Sequence, residues 1–157
     1  MPNEQFTQKS KKSAELYKEA ADVIPGGVTA NIKHFPPYPL MMEKGTDSRL
    51  YDVDGNEYVD YLLCYGALIA GHGHPDVLDA ISRQLKESGT TIFGTPHRLE
   101  TKMAEKLVDL YPGIEMVRYT NSGLEATLLA IRMAAAYTGK NKIAKFEGHY
   151  HGGYDQV

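Results

Sequence analysis

The chain has 157 residues, of which 42% are hydrophobic and 24% charged, with a net charge of -3 and a single cysteine. That is the composition of a folded domain with one sizeable core. It excludes the basic footprint of a nucleic-acid or acidic-membrane binder, and the lone Cys64 excludes an internal disulfide, so a reducing cytoplasm is the simplest compartment. The opening MPNEQFTQKSKK has no apolar signal core, and no run is long and apolar enough to span a bilayer.

From Ser10 to Ile24 the apolar residues Ala14, Tyr17, Ala20, Ala21 and Ile24 form one helical stripe, which Pro25-Gly26-Gly27 ends. The proline-rich VTANIKHFPPYPLMMEKG that follows reads as an extended arm. In SRLYDVDGNEYVDY, Asp54-Gly55 separates two alternating runs, the pattern of a β-hairpin. Asp52, Asp54 and Asn56 resemble the start of a calcium loop. The required glycine position and the distant glutamate are missing, so a plain turn is the better reading.

LLCYGALIA then runs into Gly71-His72-Gly73-His74. His72 and His74 lack further ligands for a metal centre, and turn or capping roles account for them. Pro75 suits a first helical position, and Val77, Leu78, Ile81 and Leu85 share one face. A second helix is expected to begin at Thr95-Pro96. Its stripe is Leu99, Met103, Leu107 and Leu110, and Pro112-Gly113 stops it. IEMVRYT reads as a short strand. Beyond Asn121-Ser122-Gly123, a helix apolar nearly all round (Leu128, Leu129, Ile131, Met133, Ala134) is expected to be buried, and it ends at Thr138-Gly139. KIAKFEGHYHGG supplies another strand and a glycine-rich loop. Strand, helix, strand implies an α/β fold with a mostly parallel sheet covered by helices, preceded by the helix, arm and hairpin.

The turn at Asn121-Ser122-Gly123 admits two readings. Ser122 and Glu125 fit the S-x-x-E capping box, which alone explains the serine. The turn also stands at the carboxyl end of a strand, where ligands of open α/β sheets gather. Gly123 there lets an anion approach the backbone, and a helix N-terminus offers unpaired N–H groups. A cap satisfies only some of those donors, so the readings coexist. Neither a P-loop nor a G-x-G-x-x-G signature is present, and no G-x-S-x-G elbow points to a hydrolase. A single phosphate fits so short a cradle. Tyr150 and His151 are expected at the same sheet edge, where a flat heteroaromatic ring could stack. Phosphate plus flat ring points to pyridoxal phosphate.

The ordered set VIPGGV, LYDVDGNEYVDY, GHGHP, FGTP, VRYTNSGLEAT, AIRMAAAYTG and KIAKFEGHYHG resembles the class III, fold-type I pyridoxal-phosphate aminotransferases. Within that family it looks like the branch of the glutamate-1-semialdehyde 2,1-aminomutases and their aminotransferase relatives. The resemblance covers nearly the whole chain. It implies that residues 1–65 pack with a small domain and residues 66–157 begin the large cofactor domain. It implies a homodimer, with Gly94 and Thr95 of the FGTP segment near the partner's site. By matching positions, Ser122, Gly123 and Leu124 would hold the phosphate, Tyr150 would stack on the ring, and His151 would lie beside it. Lys33 and Tyr65 would face the substrate. Leu124 departs from a threonine or serine, Lys33 from an arginine and Tyr65 from a tryptophan. These departures open the alternatives of a transaminase for another amino or β-amino acid, or of a non-catalytic phosphate- or pyridoxal-binding remnant. No catalytic residue is assigned within the chain. The Schiff-base lysine is expected beyond Val157, and Lys140, Lys142 and Lys145 lie away from the catalytic edge. The expectation is therefore an N-terminal piece of a longer enzyme, inactive by itself.

Overall fold

A computed structural model of the chain describes residues 4–154. Contacts within it divide the chain into two units, Met1–Ile92 and Phe93–Val157.

The first unit opens with helices α1 (Glu4–Lys9) and α2 (Lys11–Val23). Along α2, Ala14, Tyr17, Ala20 and the following Ile24 are half-buried, as the stripe predicts, while Ala21 is exposed. The helix stops where expected. Gly27 adopts φ +68°, and a Cβ there would lie 2.5 Å from the Tyr17 ring. Glycine is therefore required twice over, by backbone conformation and by the ring that covers it. The arm is less extended than its prolines imply, with short 3-10 turns at Pro25–Gly27 and Asn31–Lys33.

Three strands follow, β1 (Met42–Thr46), β2 (Arg49–Asp52) and β3 (Glu57–Val59), in the antiparallel order β1-β2-β3. The β2–β3 hairpin turns at Asp54-Gly55 as its sequence requires, with Leu50 opposite Tyr58. Strand β1, hidden in the proline-rich arm, adds a third member with a bulge between Met42 and Lys44. Helix α3 (Pro75–Ser88) completes the unit and ends on Gly89 at φ 70°.

The fully buried side chains among the described residues are Ser10, Ser13 and Asp52, all polar. Ser13 and Asp52 form a clasp at the hairpin turn, while the Ser10 hydroxyl donates to the Phe6 carbonyl at 2.6 Å and lies 3.2 Å from the Tyr38 hydroxyl. Asp52 accepts from the backbone of Asp54 (3.0 Å) and Asn56 (2.7 Å), from the Asn56 side chain (2.9 Å) and from the Tyr58 hydroxyl (2.8 Å). Burial raises the Asp52 carboxyl, but those donors outweigh it and hold the group below its ordinary value. Burial, and then Asp52 itself, push the Tyr58 hydroxyl up to about 12. Asp54 points the other way and closes the start of α2. It accepts from the Lys12 amide (2.8 Å), the Ser13 amide (3.0 Å) and the Ser13 hydroxyl (2.9 Å).

The second unit holds α4 (Arg98–Leu110) and α5 (Gly123–Thr138). Helix α4 starts later than Thr95-Pro96 suggests, because His97 is the residue that caps it, its Nδ1 accepting from the Leu99 amide at 3.3 Å. The flanking segments 114–120 and 141–146 take no ladder partner among the described residues. Among the described residues the sheet is the antiparallel β1-β2-β3 one, consistent with the N-terminal part of a larger α/β fold. Strand–helix–strand order predicts a common direction, but it leaves room for other strands between the two. Helix α5 departs from expectation. None of its residues is buried, and only Thr127, Leu128, Leu129, Ile131 and Ala135 are half-covered.

Two outcomes follow for the clasp. Asp54→Ala removes a side-chain cap and should lower the unfolding free energy by about 1–2 kcal/mol in urea titration. The carboxyls of Asp52 and Asp54 are both held below their ordinary value. Their stabilisation is complete above the unfolded carboxylate pKa and is lost as pH falls through the folded one. The urea midpoint should therefore drop below about pH 4, and less so in the Asp54→Ala variant.

Candidate functional site

Segment 114–120 is tied to α4 by the Tyr119 hydroxyl, which donates to the Glu100 carbonyl at 2.8 Å. It delivers the chain to Asn121, where α5 begins. Ser122 is extended (φ -154°, ψ 161°), and its hydroxyl oxygen accepts from the Glu125 amide at 3.2 Å. Glu125 reaches back, but to the Asn121 amide (2.7 Å) instead of that of Ser122. The Thr120 and Thr127 hydroxyls donate to the carbonyls of Ser122 and Gly123, and the first helical bond runs from the Ala126 amide to the Ser122 carbonyl. The amides of Ser122, Gly123 and Leu124 are left without a partner among the described residues. The turn is exposed, and a Cβ built on Gly123 would meet nothing within 4 Å. Three adjacent donors at the positive end of a sixteen-residue helix, open to solvent, form a cradle suited to one anionic group.

The loop after segment 141–146 lies against this turn. A Cβ on Gly153 would stand 3.6 Å from Leu124 Cδ1. Along the loop, the Phe146 and His149 ring centroids are 5.5 Å apart and those of His149 and His151 are 6.2 Å apart. Nε2 of His151 and the Tyr154 hydroxyl are shielded from water yet have no hydrogen-bond partner. Tyr150 is 81% exposed, its ring available to a stacking ligand. The end of this loop thus meets the side chain of Leu124, the third residue with an open amide.

The remaining expected site residues lie elsewhere in the chain. Lys33 sits in an exposed 3-10 turn of the first unit, where its Nζ donates to Thr29 Oγ1 at 2.9 Å. Tyr65, also in the first unit, is 54% exposed and has φ 58°. Gly94 and Thr95 are exposed in the loop before α4, beside the Phe93 ring, which stacks on His97 with centroids 4.7 Å apart. Lys140 follows the C-terminal end of α5, about 24 Å along the helix from Ser122. Two features escaped sequence reading. The unsatisfied Tyr154 hydroxyl carries no motif. The left-handed backbone of Leu63, Cys64 and Tyr65 has one local cue, Gly66, which explains only the fourth residue.

The sequence matches the family described as Aminotransferase class-III over residues 30–156. The chain belongs to that family. It is 50% identical over 146 residues to the glutamate-1-semialdehyde 2,1-aminomutase of Methanopyrus kandleri, covering 93% of this chain and 34% of that protein. A solved transaminase with PLP bound is 42% identical, with a TM-score of 0.87 over 93% of this chain and 34% of its own. The β-phenylalanine aminotransferase of Variovorax paradoxus is 34% identical, with a TM-score of 0.90 over 95% of this chain and 34% of its own. The fold is thus that of the class III transaminases, and the chain spans about a third of the length of the curated relatives it matches.

The cap at this turn can be tested apart from any ligand. Ser122→Ala should destabilise the first turn of α5 by about 1 kcal/mol, read as faster amide exchange confined to that helix.

Proposed function

We propose that this chain supplies the phosphate cradle and ring-stacking loop of a pyridoxal-phosphate-dependent enzyme of amino-group transfer, of the glutamate-1-semialdehyde 2,1-aminomutase type. The observation that carries this reading is the run of three unpartnered amides at Ser122, Gly123 and Leu124, facing a loop that contains Tyr150 and His151. The residues present fit the group. The amides would bind its phosphate with the Ser122 hydroxyl at the same turn, the exposed Tyr150 ring would stack on it, and the unsatisfied His151 nitrogen stands in the loop that carries Tyr150. Bound pyridoxal phosphate supplies an electron sink for the carbon that carries the amine.

Each residue has a limited task in this scheme. Leu124 contributes its amide alone, so the cradle has one hydroxyl fewer than a threonine would give. Lys33 holds the substrate carboxylate as a point charge, without the two-pronged geometry of arginine. Tyr65 lines the substrate side. Gly94 and Thr95 belong to the partner's site in a homodimer, residues 1–65 join a small domain, and residues 66–157 begin the cofactor domain. The compartment is the cytoplasm, consistent with one free, exposed cysteine. The lysine that would join the cofactor covalently is not one of Lys140, Lys142 or Lys145, so the 157-residue chain alone should show no amino transfer. A second reading, a transaminase for another amino or β-amino acid, is favoured by Lys33 and Tyr65 and by the similarity to the β-phenylalanine aminotransferase.

Pyridoxine 5′-phosphate is the appropriate probe, because it lacks the aldehyde that reacts with surface lysines. Gly123→Ala should leave the chain as stable or more so, by up to about 1 kcal/mol, since alanine favours a helix. The same change should weaken binding of the probe, because a methyl group would intrude on the cradle. Leu124→Thr should tighten binding about fivefold to tenfold by adding a hydroxyl donor to a charged group. Inorganic phosphate should displace the probe. Binding indifferent to both substitutions and to phosphate would sink the assignment.

A further inference from the structure

Leu63, Cys64 and Tyr65 have φ values of 45°, 52° and 58°, and Gly66 follows at 84°. Four successive residues in the left-handed region make one turn of left-handed helix. The Gly66 amide donates to the Leu62 and Leu63 carbonyls (both 3.1 Å), Ala67 to Cys64 (3.3 Å), and Leu68 to Leu63 (3.0 Å). Glycine adopts this conformation freely, but the other three residues are strained in it. Such a run persists only where its surroundings impose it.

The imposing group is Asp60. Its Oδ1 accepts from the Leu62 amide (2.8 Å) and the Leu63 amide (3.0 Å), which fixes the entry to the turn. Its Oδ2 lies 2.7 Å from Nε2 of His72, and both side chains are largely buried, 6% and 18% exposed. His72 is itself held on two sides. Its backbone exchanges two 2.8 Å hydrogen bonds with Asp47, at the β1–β2 turn. Its ring lies flat against Gly45, where a Cβ would come within 2.7 Å of Cγ and Nδ1. The sheet therefore fixes His72, His72 fixes Asp60, and Asp60 fixes the turn that carries Tyr65.

We propose that Asp60 and His72 are positioning residues, a buried latch that holds Leu63–Gly66 in its left-handed form and so presents Tyr65 to the substrate in one orientation. The part concerning substrate rests on the role given to Tyr65 above, whereas the latch itself does not. Asp60 and His72 act through the turn, and their loss widens the set of orientations Tyr65 can adopt.

The test uses the 157-residue chain and compares two polar replacements of one residue. His72→Gln places an amide nitrogen where Nε2 stands and can still reach Asp60. His72→Asn is one methylene shorter and cannot. Amide exchange is read by mass spectrometry in peptides covering residues 61–70, with the peptides of α2 and of the β2–β3 hairpin as internal reference. His72→Asn should speed exchange in 61–70 by about tenfold, the scale of a lost charge-assisted hydrogen bond. The reference peptides should stay unchanged, and His72→Gln should return the rate to within about twofold of the parent. Equal acceleration everywhere, or no difference between the two variants, overturns the latch. Probe binding at Ser122–Leu124 is measured on the same variants. Loss of binding in the parent chain would overturn the cofactor reading and leave the exchange result standing, so the two failures are distinguishable.

Discussion

Every helix leaves its first backbone donors without a partner, and this chain treats its two principal helix starts in opposite ways. At α2 the Asp54 carboxylate takes the amides of Lys12 and Ser13, and the neighbouring Asp52 organises the turn that delivers it. At α5 the capping serine takes only the Glu125 amide, Glu125 is spent on Asn121, and the next three amides remain open. The same constraint produces a structural joint in one unit and an open run of donors in the other. The difference is one side chain: an aspartate arriving from a distant turn fills the first, and a glycine keeps the second clear.

The chain's apolar surface obeys a related logic. Among the described residues no hydrophobic side chain is fully buried. Val77, Leu78, Ile81 and Leu85 make a clean stripe on α3 and are each about half exposed, and Leu99, Met103 and Leu110 do the same on α4. The periodicity that identified these helices states which face wants cover, not what covers it. Helix α5 is the extreme case. It is apolar nearly all round, a pattern that belongs to a helix enclosed on every side, yet Met133 is 61% and Tyr137 93% exposed. What fixes the first unit here is instead a polar clasp of Ser13 and Asp52, whose hydrogen bonds are short-ranged and complete within the unit.

That contrast explains what was legible in the sequence. Helices α2 to α5, the β2–β3 hairpin and the cap at Ser122 were readable because each is decided by neighbours within a few residues: a stripe, a stop at Pro25-Gly26-Gly27, an Asp-Gly turn, an S-x-x-E box. Strand β1 was missed because its pairing with β2, not its own composition, makes it a strand. The burial of α5 was misjudged for this chain, and the segments expected in the parallel sheet find no ladder partner among the described residues, because local pattern does not supply what covers or pairs them. The start of α4 slipped because His97 is an uncommon cap. At the candidate site, the Ser122 turn was visible as a capping motif, and a place beside it for the loop carrying Tyr150 was an expectation from sheet topology. The left-handed turn before Tyr65 was not visible, since three of its four residues are not glycine and the cause lies in Asp60 and His72, one before the turn and one after it.

The departures at Leu124, Lys33 and Tyr65 share a physical direction. Leucine keeps the backbone donor and drops a hydroxyl. Lysine keeps the positive charge and drops the planar fork that would hold a carboxylate at two points. Tyrosine keeps an aromatic face and exchanges the indole N–H for a phenol, which can donate as well as accept. In each case the coarse property that binding requires is retained, while a directional contact is lost or altered. On the proposed reading, phosphate affinity drawn from three amides would survive such a change with little loss, because it would be spread over several donors. Discrimination among substrates would not, because it depends on the few contacts that only one ligand can satisfy. The proposed site would therefore define the cofactor more narrowly than the substrate, and the proposed latch at the turn that carries Tyr65 is the place where geometry would restore the selectivity that its chemistry has relaxed.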